Sequence, residues 1–450
     1  MNKKRIILVG IYLASLANAI VFTVIIPFAS KMVISFGMTN SRSTTGTWVG
    51  IITFSLMIGR TITSPFWGWI CDKWGRRPVI LIGIASITVF SLLFGFSRNI
   101  YWAMMCRFLL GVFTPLAIVI KTLLSEICPG DEQPNAMAWQ TLLWQIGMVS
   151  GNVIGGLLED PKSSGLIDSG IFVDYPFLLP NFVAALMGLC AFLMVYPFLE
   201  ETLDKSDMKD SLIGQEGRSF MQIAADPLVS KVLGVYTILS NNSTAMHELV
   251  SLYLYADIVN GGFSMDPDEI GLLLAASAIS LVFFQKLIFS SFISRYGLVK
   301  TSNMTTFLAV PILLIIPISS WFRNTTLLKW FILALFNIIW ITVNFISFTS
   351  VSCMSNNSVV NKERGRMNGL FMTVGSLARS IAPLLFGWTF ATTVESGWIF
   401  PFNYAFSFYL LAAGSVAMWI ICKMIPESLN GPKVEESIAH YTQMSIINKA

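Results

Sequence analysis

Charge is scarce in this chain. Asp, Glu, Lys and Arg make up 12% of its 450 residues, about half the share that a soluble domain carries, so a water-soluble globule of this length is excluded. Histidine is scarcer, with His247 and His440 alone. A resident zinc ion needs about three or four His, Cys or acidic ligands at close spacing, and no such cluster exists, so no metal is expected. The six cysteines (Cys71, Cys106, Cys128, Cys190, Cys353 and Cys422) are scattered without paired spacing, which indicates neither a disulfide framework nor a metal cluster. No nucleophile–base constellation or cofactor motif is present, so neither an enzyme nor a cofactor is expected. Lys and Arg form no stripe of the kind that binds nucleic acid.

What is abundant is apolar surface, at 54% hydrophobic residues and a mean hydropathy of +0.69. Apolar stretches near the roughly 20 residues needed to cross a bilayer recur along the whole chain. The approximate spans are 6–28, 47–70, 78–97, 101–124, 137–158, 177–198, 228–256, 270–292, 302–321, 329–352, 367–392 and 402–424. The expected fold is therefore an all-α polytopic membrane protein with the bilayer as its partner. With the N-terminus inside, Lys and Arg outnumber those of outer segments by about three to one, which predicts both termini in the cytoplasm.

Glu200 to Asp226 is polar, mixed in charge and lacks a hydrophobic period, and reads as a linker. Internal similarity divides the chain around it. Lys73-Trp74-Gly75 matches Arg295-Tyr296-Gly297, Gly151-Asn152-Val153-Ile154-Gly155-Gly156 matches Ala382 to Gly387, and Glu201-Thr202-Leu203 matches Glu427-Ser428-Leu429. The expected organisation is a six-span half over 1–199, a linker over 200–227, a second half over 228–429 and a tail over 430–450, a parallel repeat typical of transporters.

Ionisable and amide groups are costly in hydrocarbon and mark the interior of a bundle. They gather in the first and fourth spans of each half: Asn18 in the first, Arg107 and Lys121 in the fourth, Asn241, His247 and Glu248 in the seventh, Asn344 in the tenth. On a continuous helix Arg107 and Lys121 share a face about 21 Å apart. Lys121 could instead snorkel to the interface, and Arg107 could simply hydrogen-bond a neighbouring helix. Burial favours the protonated form of Glu248 and a nearby cation the ionised form, which is how a reversible proton site is made; a static ion pair with Arg107 is the alternative. The polar block of the seventh span suggests a locally unwound helix lining a cavity. Arg60, Lys286 and Arg379 also lie within spans and receive no transport role.

Residues 59 to 78, Gly-Arg-Thr-Ile-Thr-Ser-Pro-Phe-Trp-Gly-Trp-Ile-Cys-Asp-Lys-Trp-Gly-Arg-Arg-Pro, closely resemble the cytoplasmic signature of the major facilitator superfamily, carried by Gly68, Asp72, Lys73, Gly75, Arg76 and Arg77. The two glycines would permit a tight turn, and the charges would pair across an inner gate. Arg107-Phe108-Leu109-Leu110-Gly111 is similar to the superfamily's Arg-x-x-x-Gly signature, which implies proton coupling. Gly147, Gly151, Asn152, Gly155 and Gly156 are similar to its antiporter signature, with Asn152 where that signature has Pro, a departure that leaves transport direction open. These glycines also suit close helix packing. Tyr175 to Asn181 and Arg364 to Gly369 look like the zinc-induced-facilitator-like branch, which is related to drug:proton antiporters.

The resemblance implies a monomeric proton-coupled carrier of a small organic solute, an organic ion, metal chelate or drug-like molecule, probing both sides by alternating access. The competing reading is a receptor that kept the fold; a static sensor would not need charges poised at a gate.

Overall fold

The computed structural model describes residues 3–128, 132–163, 165, 167–202, 218–322, 325–360 and 364–431. The side chains of Asp72, Lys286, Ser294, Arg364 and Arg366 lie outside the described set, as do Lys205, Lys209 and most of the expected tail.

Every described regular element is helical. The long ones are α1 (Lys3–Thr23), α2 (Gly46–Trp74), α3 (Arg76–Gly95), α4 in two pieces (Ile100–Val112 and Leu116–Ile127), α5 (Gln133–Leu157), α6 (Leu178–Val195), α7 (Pro227–Tyr255), α8 and α9 within Pro267–Ile315, α10 (Thr326–Asn357), α11 (Arg364–Glu395) and α12 (Phe406–Lys423). Seven helices are long and apolar enough to cross a membrane by length and composition. Outside that group stand α2, α5 and α8, together with α7, whose middle is polar, and α4, which is split.

Helix starts follow local chemistry. The Asn99 side chain accepts the backbone N–H of Trp102 at the head of α4, and Asp226 accepts that of Leu228 ahead of Pro227. Asp266 and Glu269 form a reciprocal capping box around Pro267. Each arrangement satisfies donors that a helix N-terminus leaves orphaned. Gly75 (φ 108) turns the chain between α2 and α3, and Gly297 (φ 76) turns it between α8 and α9. A Cβ is disfavoured at both angles, so the repeat seen at Lys73-Trp74-Gly75 and Arg295-Tyr296-Gly297 extends to backbone conformation.

Three local expectations need correction. The span predicted over 101–124 is interrupted at 113–115, because Pro115 lacks an N–H and disfavours helix at the residue before it. The Ser86 hydroxyl donates to the freed Phe113 carbonyl at 2.8 Å. Helix α7 is continuous through Asn241 to Glu248, with no unwinding. The interval read as a featureless linker holds a short helix, Phe220–Ala225, closed by a Ser219–Gln222 capping box.

Packing divides the molecule by level rather than only by half. We call the end carrying the start of α1 and the end of α12 the near face, and the opposite end the far face. One continuous buried core runs through the first half and the far end of the second, from Ile11 and Ile84 to Leu252, Tyr253 and Phe386. The near end of the second half has its own core around Val232, Tyr236, Met354, Phe371 and Cys422.

Candidate functional site

At the far face the halves are pressed together by backbone. A Cβ added to Gly46 of α2 would lie 2.4 Å from the Gly387 carbonyl oxygen of α11, and one on Gly50 equally close to that of Pro383. On the other side, a Cβ added to Gly156 of α5 would lie 2.5 Å from the Pro267 carbonyl oxygen, and one on Gly271 of α8 would lie 2.6 Å from that of Asn152. Gly147, Gly151 and Gly155 face α1 instead, against Leu16, Ile20, Thr23 and Val24. The glycine-rich stretch of α5 thus serves two seams, one inside its half and one between halves.

Polar contacts reinforce the far-face seam. Arg42 Nη2 lies 3.1 Å from Asp266 Oδ1, the Ser43 hydroxyl donates to Asp257 at 3.2 Å, and the Ser251 hydroxyl donates to the Ile26 carbonyl at 2.7 Å. Nearby, Lys31 Nζ sits 2.8 Å from Glu159 and 3.2 Å from Asp160. Burial lifts the Glu159 carboxyl above the ordinary range against the pull of Lys31. Burial also works on Asp160, but the Ser163 amide and Lys31 outweigh it and hold that carboxyl low.

Glu248 lies one turn before Ser251 in this seam. It is 6% exposed, faces the Thr53 hydroxyl of α2 and has no hydrogen-bond partner on Oε1 among the described residues. The ion pair with Arg107 considered from sequence does not form. Arg107, 2% exposed, turns into the first half, where Nη1 donates to the Val21 carbonyl at 3.1 Å and the guanidinium lies 4.6 Å from the Phe94 ring centre.

At the near face the signature residues hold their own half. Glu201 accepts the backbone N–H groups of Arg76 (2.8 Å) and Arg77 (3.1 Å), capping α3. Arg76 Nε pairs with Glu126 at 3.0 Å and its Nη1 donates to the Cys71 carbonyl at 2.9 Å. Arg77 donates to the Tyr196 carbonyl, and Lys73 lies over the Trp69 ring. These described contacts all lie within the first half, and the Asp72 side chain, on which the expected gate pairs also depend, lies outside the described set. Gly68 is not part of the turn either: it sits inside α2 with open space where a Cβ would go. In the second half Asn430 Oδ1 accepts the Val299 N–H at 3.0 Å, and Lys300 pairs with Glu427 at 3.2 Å.

Between these levels the structure gathers cations that sequence reasoning left without a role. Arg60 Nη2 donates to Asn18 Oδ1 at 2.7 Å. Arg379 donates to the Tyr236 hydroxyl at 3.3 Å and lies over the Phe348 ring. Their chain neighbours Thr61 and Ser380 meet hydroxyl to hydroxyl at 2.9 Å, which brings α2 and α11 together at that point. A basic residue in mid-span is costly enough to be a signal by itself, and Arg60 carried it. Asn241 only leans on Asn242 at 3.4 Å, while Asn242 reaches Ser415 on α12. His247 and Asn344 are half-buried. Among the described residues no His, Cys, Asp and Glu cluster could hold a metal ion.

The sequence profile of the Major Facilitator Superfamily matches residues 11–383. The chain is 28% identical to the protein Zinc Induced Facilitator 1 of Arabidopsis thaliana, over 84% of this chain and 83% of that one. It is 23% identical to a major facilitator superfamily multidrug transporter of Aspergillus fumigatus, over 86% and 78% of the two chains. A crystal structure of a D-xylose–proton symporter superposes with a TM-score of 0.72 at 14% identity, covering 95% of this chain and 99% of that one. This chain belongs to the major facilitator superfamily, as a multi-pass membrane transporter.

Proposed function

We propose that the chain is a monomeric proton-coupled antiporter of a small organic solute, with the near face and both termini in the cytoplasm. The conformation described is then inward-open: the far face is sealed by backbone contact, while Lys3–Glu200, Lys4–Glu132, Arg76–Glu126 and Lys300–Glu427 each stay within one half. The observation that carries the coupling is the position of Glu248 inside the seal. It stands about 10 Å from the far end of α7, at 1.5 Å per residue. A buried carboxyl is neutral or paired, and no described cation pairs with it. Opening the far face parts α7 from α2 and admits water to this group, so its proton can leave on that side. Proton occupancy and the choice of open face are thereby linked, because a ligand shifts a conformational equilibrium by its differential affinity for the two states.

The test is Glu248→Gln in proteoliposomes, with a panel of organic acids, amines and dyes. Exchange of a solute in the absence of a gradient should persist, and accumulation driven by a pH gradient should vanish. Unchanged gradient-driven accumulation would place the coupling proton elsewhere, with Glu126 next to examine.

A further inference from the structure

The second half encloses a pair of cavities on its side away from the first half. The outer one, about 120 Å³, lies between the end of α9, the 3-10 helix Ile316–Phe322 and α10. Its walls include Ile318, Phe322, Ile332, Leu335 and Phe336, and the exposure of Phe322 and Leu335 shows that it opens toward the bilayer. The inner one is about 20 Å³ and is lined by Asn337 together with Met246, Val250 and Tyr253 of α7; that is room for a single water-sized group. Ser319 and Phe336 line both, so the chambers share one partition of side chains. Neither belongs to the gap between the halves. Met246 and Val250 each stand two residues from Glu248, and Tyr253 two from Ser251, and two residues turn an α-helix by about 200°. The cavity face of α7 is therefore opposite the face that meets Thr53 and Ile26 of the first half.

Asn337 is 7% exposed, and its Nδ2 has no hydrogen-bond partner among the described residues. It stands about 17 Å into α10 at 1.5 Å per residue, near the middle of a hydrocarbon core about 30 Å thick, where an amide N–H has no bulk water to turn to. A lipid chain in the outer cavity leaves that donor orphaned, because ester oxygens stay at the interface. A water in the inner chamber satisfies the donor and leaves the outer cavity unfilled. A molecule with an apolar body and one acceptor answers both, and an apolar cavity of about 150 Å³ already takes benzene. We propose that the two chambers form a binding site for a small uncharged alcohol that enters from the bilayer. Its phenyl or alkyl body fills the outer chamber, the Phe336 ring turns aside, and its hydroxyl oxygen accepts a hydrogen bond from Asn337 Nδ2. Ser319 Oγ, 3.3 Å from the Tyr253 hydroxyl, stands in the same inner chamber to accept the alcohol's own proton. No Asp, Glu, Lys, Arg or His is among the described lining residues, which disfavours a charged ligand. The site goes beyond the transporter reading and does not depend on its proton coupling.

The experiment photolabels the purified full-length protein in lipid nanodiscs with 4-azidobenzyl alcohol and maps the adducts by mass spectrometry. Labelling within 315–337 should saturate, and benzyl alcohol should displace it. Toluene fills the outer chamber without offering an acceptor. At equal membrane concentration it should compete roughly fivefold to tenfold less well, the worth of one neutral hydrogen bond. Asn337→Leu keeps the volume and removes the donor, so toluene and benzyl alcohol should then compete equally. Leu335→Trp, at a side chain that is already exposed, fills the outer chamber and should abolish saturable labelling. The wild-type competition decides the matter even where a variant misfolds. Glu248→Gln should label as the wild type does, so failure of the coupling and failure of this proposal are separate results. Three outcomes overturn the proposal. Adducts that never saturate and spread over every lipid-facing helix would mean that a lipid chain fills the cavity. Equal competition by toluene in the wild type would mean an apolar void only, and discrimination that survives Asn337→Leu would mean that a resident water holds the amide.

Discussion

The two ends of this molecule are held in different ways. At the far face, glycines let the backbones of opposite halves touch, as Gly46 does with Gly387 and Gly156 with Pro267. At the near face charged side chains predominate, and the pairs described there tie helices within a half. Backbone contact is short-ranged and nearly all-or-none, since a fraction of an ångström of separation forfeits much of the attraction. Ion pairs in water are longer-ranged and individually weak. A seal made of the first can release cooperatively, while the second keeps each half rigid as it moves.

Breaking the far-face contact should have the largest effect. Gly46→Val places atoms against a carbonyl oxygen that cannot step aside, which costs the sealed state about 1–3 kcal/mol and shifts the equilibrium about 5- to 150-fold toward far-face opening. Cysteine labelling from the far side at a position such as Thr53 should rise and transport should fall. Gly234→Ala, where the nearest atom is Ile421 Cδ1 at 3.8 Å, is the matched control; equal behaviour of the two would refute the backbone seal.

Arg76→Ala comes next. It removes the Glu126 pair and the bond to the Cys71 carbonyl, so the near end of the first half should loosen and turnover slow a few-fold at normal expression. Normal kinetics in this variant would show that these contacts do not hold the half together. Arg42→Ala should do less, because its partner Asp266 is exposed and such pairs contribute about 0–1 kcal/mol. A labelling change as large as that of Gly46→Val would mean that charge, not packing, closes the far face.

The smallest effect is on pH dependence. Glu159 binds its proton more tightly folded than unfolded, so its contribution to stability is lost as pH rises from the ordinary carboxylate range through its raised value. Asp160 acts in the opposite sense, its contribution being lost as pH falls through its lowered value. Glu159→Gln and Asp160→Asn should therefore tilt the pH profile of thermal unfolding in opposite directions; tilts of the same sign would contradict the assignment.

Much of the candidate site was legible where chemistry is local. The Asp72 to Arg77 motif announced a turn, and Gly75 makes it. The helix 5 glycines announced close packing, and each has a backbone neighbour. Gly68 was misplaced because a glycine in sequence does not say whether its φ is positive. Arg379 received no role because its partners, Tyr236 and Phe348, are far away along the chain.

Apolar run length, the sparse charges and the signature around residues 59 to 78 by themselves determined a helical membrane transporter, because a bilayer leaves the backbone few other ways to satisfy its hydrogen bonds. Only the tertiary structure decided that Glu248 lies in a seam without a cation among the described residues, that Arg107 turns into its own half, and that α2 and α11 meet at Thr61 and Ser380. Those facts depend on how helices distant in sequence rotate and dock, and helix rotation is set by interlocking of side chains and close backbone contact, which no single segment encodes.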